Sequence, residues 1–228
     1  MIIITGVSKG IGRFLYEKFS QFDEEVIGIY NTTIPKYDNS KNLYKLDISN
    51  YNEVENFYKT VEKKISNVKL INAAGTNYSA FAHKSDIEQW KKVIEVNLFG
   101  TFYMTKHFLN IMRFENYGRI INFSSVVAQK GIPGTSAYAA SKSALWGMSK
   151  SIAEENASKG ITINTLNLGY FNIGMINEVS NEVQNIIKKQ IPVGNDFGDP
   201  INIYNAVKFI FDSPYLTGTS ININGGLF

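Results

Sequence analysis

Ile2-Ile3-Ile4-Thr5-Gly6-Val7-Ser8-Lys9-Gly10-Ile11-Gly12 is the stretch that decides how this chain folds. A short β-branched run enters a turn carrying three glycines, and Ile11, Phe14, Leu15, Phe19 and Phe22 then recur at helical spacing. The reading is strand, tight turn, helix. Gly6 and Gly10 permit the turn and a close backbone approach, while Gly12 lets the helix pack on the strand. Unpaired amides and the positive end of the helix dipole favour a phosphate at such a junction. Gly6, Ser8, Lys9, Gly10, Ile11 and Gly12 are therefore expected to hold the pyrophosphate of a dinucleotide.

Working outward, Val26–Ile29, Leu43–Ile48, Val68–Asn72, Arg119–Phe123, Thr162–Leu166 and Ser220–Ile223 read as further strands, separated by helical patterns. Seven strands alternating with helices predict an α/β chain with a parallel, doubly wound sheet and helices on both faces. The 228 residues contain no repeat, low-complexity tract or charged linker, so a single domain spanning 1–228 is expected. Ser85-Asp86-Ile87-Glu88 reads as a capping box opening a long helix with Trp90, Val93, Ile94, Phe99 and Phe102 on its apolar positions. The least regular segment, about 169–200, holds a helical piece from about Asn177 to Lys189 and is the expected substrate loop.

A net charge of +3 with no block of Lys or Arg argues against nucleic acid as a partner. There is no cysteine, and His83 and His107 are the two imidazoles, read as surface or packing residues; no metal site is expected. The apolar run at the start lacks a basic region and is too short for a signal sequence, and no stretch reaches membrane-span length, so a soluble cytoplasmic protein is expected.

About 20 residues past the glycines, where an acid would hold the ribose of NAD, the chain reads Tyr30-Asn31-Thr32-Thr33. With no carboxylate there to repel a 2′-phosphate, and with Lys9 placed to pair with one, NADP(H) is favoured over NAD(H). Asn31 and Thr32 are expected beside that ribose. Asp47 and Ile48 either flank the adenine or, for the aspartate, share a helix N-cap role with Ser49. Asn72-Ala73-Ala74-Gly75 ends the fourth strand where ligands gather in such sheets, its small side chains leaving room for a ribose. Asn72 either contacts the cofactor or stitches neighbouring strands together through backbone hydrogen bonds.

Tyr138-Ala-Ala-Ser-Lys142 places a phenol and an ammonium on one helix face, with Ser125 thirteen residues upstream at the end of a strand. A free tyrosine titrates near 10, so a cation beside it helps it act as an acid or base at neutral pH. Ser125 is expected to polarise a carbonyl oxygen that Tyr138 protonates. Neighbouring Ser124 points to the opposite face. Asn97 followed by Gly100 in mid-helix predicts a kink whose freed backbone groups hold a water linking Lys142 to solvent.

Taken together, Thr5-Gly-x-x-x-Gly-Ile-Gly12, Asn72-Ala-Ala-Gly75, Asn97, Ser125, Tyr138-x-x-x-Lys142, Thr217-Gly218 and Asn224-Gly225-Gly226 resemble the short-chain dehydrogenase/reductase superfamily across essentially the whole chain. The resemblance implies a Rossmann fold, a catalytic tetrad of Asn97, Ser125, Tyr138 and Lys142, contact of Lys142 with the nicotinamide ribose, and a homotetramer packed through the helices around Asn97 and Tyr138. It also implies cofactor contacts at Gly169 and Phe171. Gly160-Ile-Thr-Ile-Asn164 and Ile191-Pro-Val-Gly194 make the chain most similar to the 3-oxoacyl-[acyl-carrier-protein] reductase type. That type would seek basic residues for an acidic carrier protein; Lys159 fits one place, and Asn116 occupies the other. After the sixth strand the family pattern Pro-Gly-x-x-x-Thr reads Leu168-Gly169-Tyr170-Phe171-Asn172-Ile173, losing a threonine contact and suggesting an aromatic pocket wall of Tyr170 and Phe171. The substrate is thus expected to be an acyl thioester or a small metabolite such as a keto-sugar. A non-catalytic dinucleotide sensor is the alternative from another class.

Overall fold

The computed structural model describes residues 1–22, 25–35 and 42–227. Seven strands, β1 (Ile2–Thr5), β2 (Val26–Tyr30), β3 (Leu43–Lys45), β4 (Lys69–Asn72), β5 (Gly118–Ser125), β6 (Ile161–Leu168) and β7 (Ser220–Ile223), form one sheet in the order β3-β2-β1-β4-β5-β6-β7. Every pairing is parallel. Alternation along β1 explains the two layers. Ile3 joins Phe57 of α2 (Tyr51–Val61), Phe108 of α4 (Thr101–Glu115) and Ile152 of α5 (Ser136–Asn156) on one face. Ile2 and Ile4 pack on the other face with Leu15 of α1 (Gly10–Ser20) and Val207 of α7 (Ile201–Phe211). Strands buried on both faces must be apolar along their length, which is why they read as continuous runs.

The strand order reverses between β1 and β4, and the two strand ends are tied there: Thr5 Oγ1 accepts from the amides of Ala73 and Ala74, both at 3.0 Å. The crevice this opens is where doubly wound sheets bind ligands.

Several local expectations are corrected. β3 stops at Lys45, so Asp47 and Ile48 lie beyond the strand. Asp47 turns the chain by accepting from the Ser49 amide at 2.9 Å and hydroxyl at 2.6 Å, and Asn50, rather than Asp47 or Ser49, caps α2. Helix α3 (Ile87–Ile94) is capped by Asp86, which accepts from Gln89 N at 2.9 Å, one residue later than the Ser85–Glu88 box; Ser85 Oγ instead donates to Phe81 O. Asp86 is in extended backbone and its carboxylate reaches the N3 amide, while the Ser85 hydroxyl is engaged with the preceding turn. Phe99 and Phe102 are exposed rather than core, because a π-helical turn, Glu95–Gly100, joins α3 to α4 and rotates the apolar stripe. Phe22 lies past the end of α1, exposed and stacked on Tyr204. The helical piece of the irregular segment is α6 (Asn181–Gln190), preceded by a 3₁₀ turn, Gly174–Glu178. No helix among the described residues is long and apolar enough to cross a membrane.

Candidate active site

Between β1 and α1 the glycines leave no room for side chains. A Cβ on Gly6, whose φ is +75°, would lie 2.6 Å from Ala74 Cα, and one on Gly12 would lie 2.4 Å from Gly6 O. Helix α1 begins without a side-chain cap, and its first backbone bond runs from Arg13 N to Lys9 O. The first-turn amides of Gly10, Ile11 and Gly12 thus face out of the turn without an N-cap acceptor, a cradle that fits a phosphate. Ser8 Oγ donates to Thr33 O at 2.8 Å, bringing the glycine loop against the end of β2. Asn31 hydrogen-bonds Asp47 across the same corner. Burial would raise the Asp47 carboxyl, but the Ser49 hydrogen bonds, the Lys92 charge and Asn31 together hold it below the usual carboxylate range. Asn31, Thr32 and Asp47 therefore form one polar corner, with Ile48 buried behind it.

Lys9 departs from expectation. Its ammonium lies 2.5 Å from a Glu178 carboxylate oxygen, a partner 169 residues away that no local sequence signal indicates.

Ser125 ends β5 with its Oγ accepting from Val127 N at 3.2 Å, and Tyr138 reaches it with a side-chain hydrogen bond. Burial pushes the Tyr138 phenol up to about 12, the Ser125 bond pulling down and the neighbouring Tyr170 adding to the rise. Lys142 is buried, and desolvation brings its ammonium down to about 8. It donates to Phe123 O at 2.7 Å and sits 5.6 Å from the centre of the Tyr138 ring. Ser124 faces the other way, donating to Lys142 O at 2.9 Å and fastening α5 to β5. The alternation of the strand thus brings Ser125, not Ser124, to Tyr138.

Asn97 sits in the π turn, fully buried. Its Oδ1 accepts from Thr76 N at 2.8 Å, and its Nδ2 donates to Thr76 O at 2.9 Å and to Ser141 Oγ at 3.0 Å. Ser141 Oγ in turn donates to Tyr138 O at 2.8 Å. The Asn97 carbonyl accepts from Thr101 Oγ1 at 2.8 Å, a hydroxyl of the chain within the same turn. Gly75 completes the enclosure: a Cβ there would lie 3.3 Å from Asn97 Oδ1 and 3.6 Å from Lys142 Nζ. Thr76 and Ser141 escaped the sequence reading, although Ser141 stands three residues after Tyr138, on the same helix face. The buried Asn72 side chain bonds to side chains rather than to backbone: its Nδ2 donates to Asn122 Oδ1 on β5 at 2.8 Å and to Thr105 Oγ1 on α4 at 3.3 Å.

A β5 serine bonded to a tyrosine, a buried lysine one turn on, and a glycine cradle at the sheet's switch point are here on one edge. The short chain dehydrogenase profile matches residues 1–184. The chain belongs to the short-chain dehydrogenase family. Members are oxidoreductases that use a nicotinamide cofactor. An acetoacetyl-CoA reductase of Rhizobium meliloti is 35% identical over 99% of this chain and 97% of its own length. A 3-oxoacyl-[acyl-carrier-protein] reductase of Vibrio cholerae is 33% identical over 99% and 96%. The ligand-free structure of Thermoplasma acidophilum aldohexose dehydrogenase superposes with a TM-score of 0.91 at 26% identity, covering 99% of this chain and 92% of that one.

Relative to the short-chain dehydrogenase pattern, the segment after β6 needs one correction. Phe171 is no pocket wall: it is buried in the core beside Leu168, bridges to Gly198, and its ring would lie 2.8 Å from a Cβ there. The amides of Asn172 and Ile173 are taken by Gly198 O and Phe171 O. Tyr170 packs instead against the small cluster of Val126, Ile191 and Leu227, near Tyr138. Gly169 is pressed against Asn224 Cα, where a Cβ would approach to 2.7 Å. His83 is exposed, and His107 is buried between Tyr51 and Tyr58.

Proposed function

We propose that the chain is an NADP(H)-dependent reductase of 3-oxoacyl thioesters, with Tyr138, Ser125, Lys142 and Asn97 as its catalytic groups and 169–200 as its substrate loop. The observation that carries this reading is the Ser125–Tyr138 hydrogen bond with buried Lys142 one turn along α5. The dinucleotide's pyrophosphate would lie on Gly6, Ser8, Gly10, Ile11 and Gly12, its adenosine ribose beside Asn31 and Thr32, the adenine by Asp47 and Ile48, and the other ribose by Ala73, Ala74, Gly75 and Lys142. When bound, the nicotinamide supplies the hydride that reaches the carbonyl carbon. Ser125 and Tyr138 both present O–H groups to the carbonyl oxygen, and the Tyr138 proton is transferred to it as charge develops. Burial keeps that proton on the phenol at neutral pH, which suits a donor. Asn97 fixes the Thr76 loop, and its carbonyl keeps a second lone pair for the water that connects Lys142 to solvent.

The substrate class rests on likeness to the acetoacetyl-CoA and 3-oxoacyl-[acyl-carrier-protein] reductases. Lys159 is half-buried in the 3₁₀ turn after α5, and its ammonium would be the basic group offered to an acidic carrier. Asn116 instead caps α4 with a left-handed φ of +52°, a job that favours Asn over a basic residue. Exposed Phe99 and Phe102 give the α3–α4 surface an apolar patch that packing in a homotetramer would cover. A second reading, a dehydrogenase of small sugars, is favoured by the superposition on the aldohexose dehydrogenase. Steady-state kinetics with acetoacetyl-CoA and an aldohexose, each with both nicotinamide cofactors, separates the two. Efficiency highest for the thioester with NADPH supports the proposal, and preference for the sugar, or for NADH, overturns the corresponding half.

A further inference from the structure

The irregular segment after β6 does more than pass over the crevice: it rests on the glycine loop. Gly10 and Gly174 meet so closely that a Cβ on Gly10 would lie 3.2 Å from Gly174 Cα, and one on Gly174 would lie 3.3 Å from Gly10 Cα. Both have positive φ, +63° and +78°, so neither position easily accepts another residue. Four residues beyond Gly174, the Glu178 carboxylate takes the Lys9 ammonium at 2.5 Å. Lys9 is the cation of the glycine loop, and Ser8 beside it holds that loop to Thr33 at the end of β2. The side chains at that end, Asn31, Thr32 and Thr33, are neutral.

A phosphate set beside Asn31 and Thr32 would therefore draw on Lys9, and Lys9 already has an anionic partner supplied by the opposite side of the crevice. One cation cannot neutralise both groups at once. From this geometry we infer that Glu178 is a specificity-determining residue, whose carboxylate competes with the cofactor 2′-phosphate for Lys9. The inference rests on the nicotinamide dinucleotide lying along the glycine loop as proposed above. A cofactor carrying a 2′-hydroxyl leaves the Lys9–Glu178 bond in place and binds beneath a closed segment. A cofactor carrying a 2′-phosphate must displace Glu178 and sits beside its charge. The residue thus lowers the preference for NADP(H) below what Lys9 and the missing acid after β2 would set.

Fluorescence titration of the purified protein with NADPH and NADH, without substrate, tests this for wild type, Glu178→Gln and Lys9→Gln/Glu178→Gln. Both side chains are exposed, so neither change threatens the fold. Glu178→Gln is expected to tighten NADPH about threefold to fivefold at low ionic strength, as for an exposed charge pair, and to leave NADH unchanged. The gain should shrink in high salt and vanish in the double variant. Equal tightening of both cofactors, or no change in either, would overturn the inference. Should wild type bind NADH more tightly than NADPH, the cofactor assignment fails, while a shift of the ratio toward NADPH in Glu178→Gln still upholds the role of Glu178.

Discussion

Lys142 donates its ammonium proton to the carbonyl of Phe123 at 2.7 Å, placing its charge under the strand end that carries Ser125. The pair four residues apart on α5 therefore does not form a simple phenolate–ammonium contact. Tyr138 leans on Ser125, Lys142 on the backbone two residues before it, and β5 is the common support. Burial acts oppositely on the two groups, holding the phenol protonated and loosening the proton of the ammonium. A protonated phenol at rest is what the proposed proton donation requires.

The first consequence is a pH profile. Lys142 is charged below about 8 and loses its proton above it, while Tyr138 keeps its own proton to about 12. The rate of ketone reduction at saturating substrate should be level near neutrality and fall as pH rises through 8, with a single ionisation. A limb with its midpoint near 10 or above in pH–rate profiles would mean that the tyrosine, not the lysine, controls the reaction.

Tyr138→Phe removes the proposed proton donor and the bond to Ser125 while preserving the ring. Turnover should drop about 10²–10⁴-fold, the usual contribution of a positioned acid. Cofactor affinity, measured by fluorescence titration, should remain within about twofold, a change worth less than 0.5 kcal/mol. Comparable loss in both would assign the hydroxyl to binding instead.

Sequence legibility follows the range of the interactions. The inner strands were readable because they are buried on both sides and must be apolar, the edge strands β3 and β7 by their short β-branched or aromatic runs between helical patterns, and the positions of Ser125, Tyr138 and Lys142 because strand alternation and helix periodicity constrain them locally. The π turn at Asn97 was foreshadowed by its unfavourable residues. What stayed hidden depends on long-range geometry: Glu178 on Lys9, Thr76 on Asn97, and the inward turn of Phe171 against Gly198. The exposure of Phe99 and Phe102 was missed because one extra residue per turn shifts a helical stripe, and no 3.6-residue pattern records it.

Ser141 tests how tightly Asn97 must be held. Ser141→Ala strips one acceptor from the fully buried Asn97 amide and frees the Tyr138 carbonyl of its hydroxyl partner. A buried donor left without a partner costs about 1–3 kcal/mol, which chemical denaturation should register as lost stability. The two Thr76 bonds remain, so turnover should fall less than about tenfold, equivalent to 1.4 kcal/mol on the barrier. Unchanged stability would show that the Asn97–Ser141 bond contributes nothing to the fold.

His107 sets an acid limit on stability. It is buried, its Nε2 has no hydrogen-bond partner among the described residues, and the rings of Tyr51 and Tyr58 pack at 5.1 and 5.8 Å. Desolvation lowers its pKa, with Lys106 and Lys59 pushing the same way and Glu55 opposing. An unfolded histidine titrates near 6.5, so below that value the unfolded chain binds a proton that the folded one refuses. The stability associated with His107 is complete above about pH 6.5 and declines as pH drops toward the lower folded value. His107→Phe keeps an aromatic ring between the tyrosines and removes the titration. Urea midpoints between pH 5 and 8 should therefore slope for wild type and flatten for the variant; parallel slopes would place the acid sensitivity elsewhere.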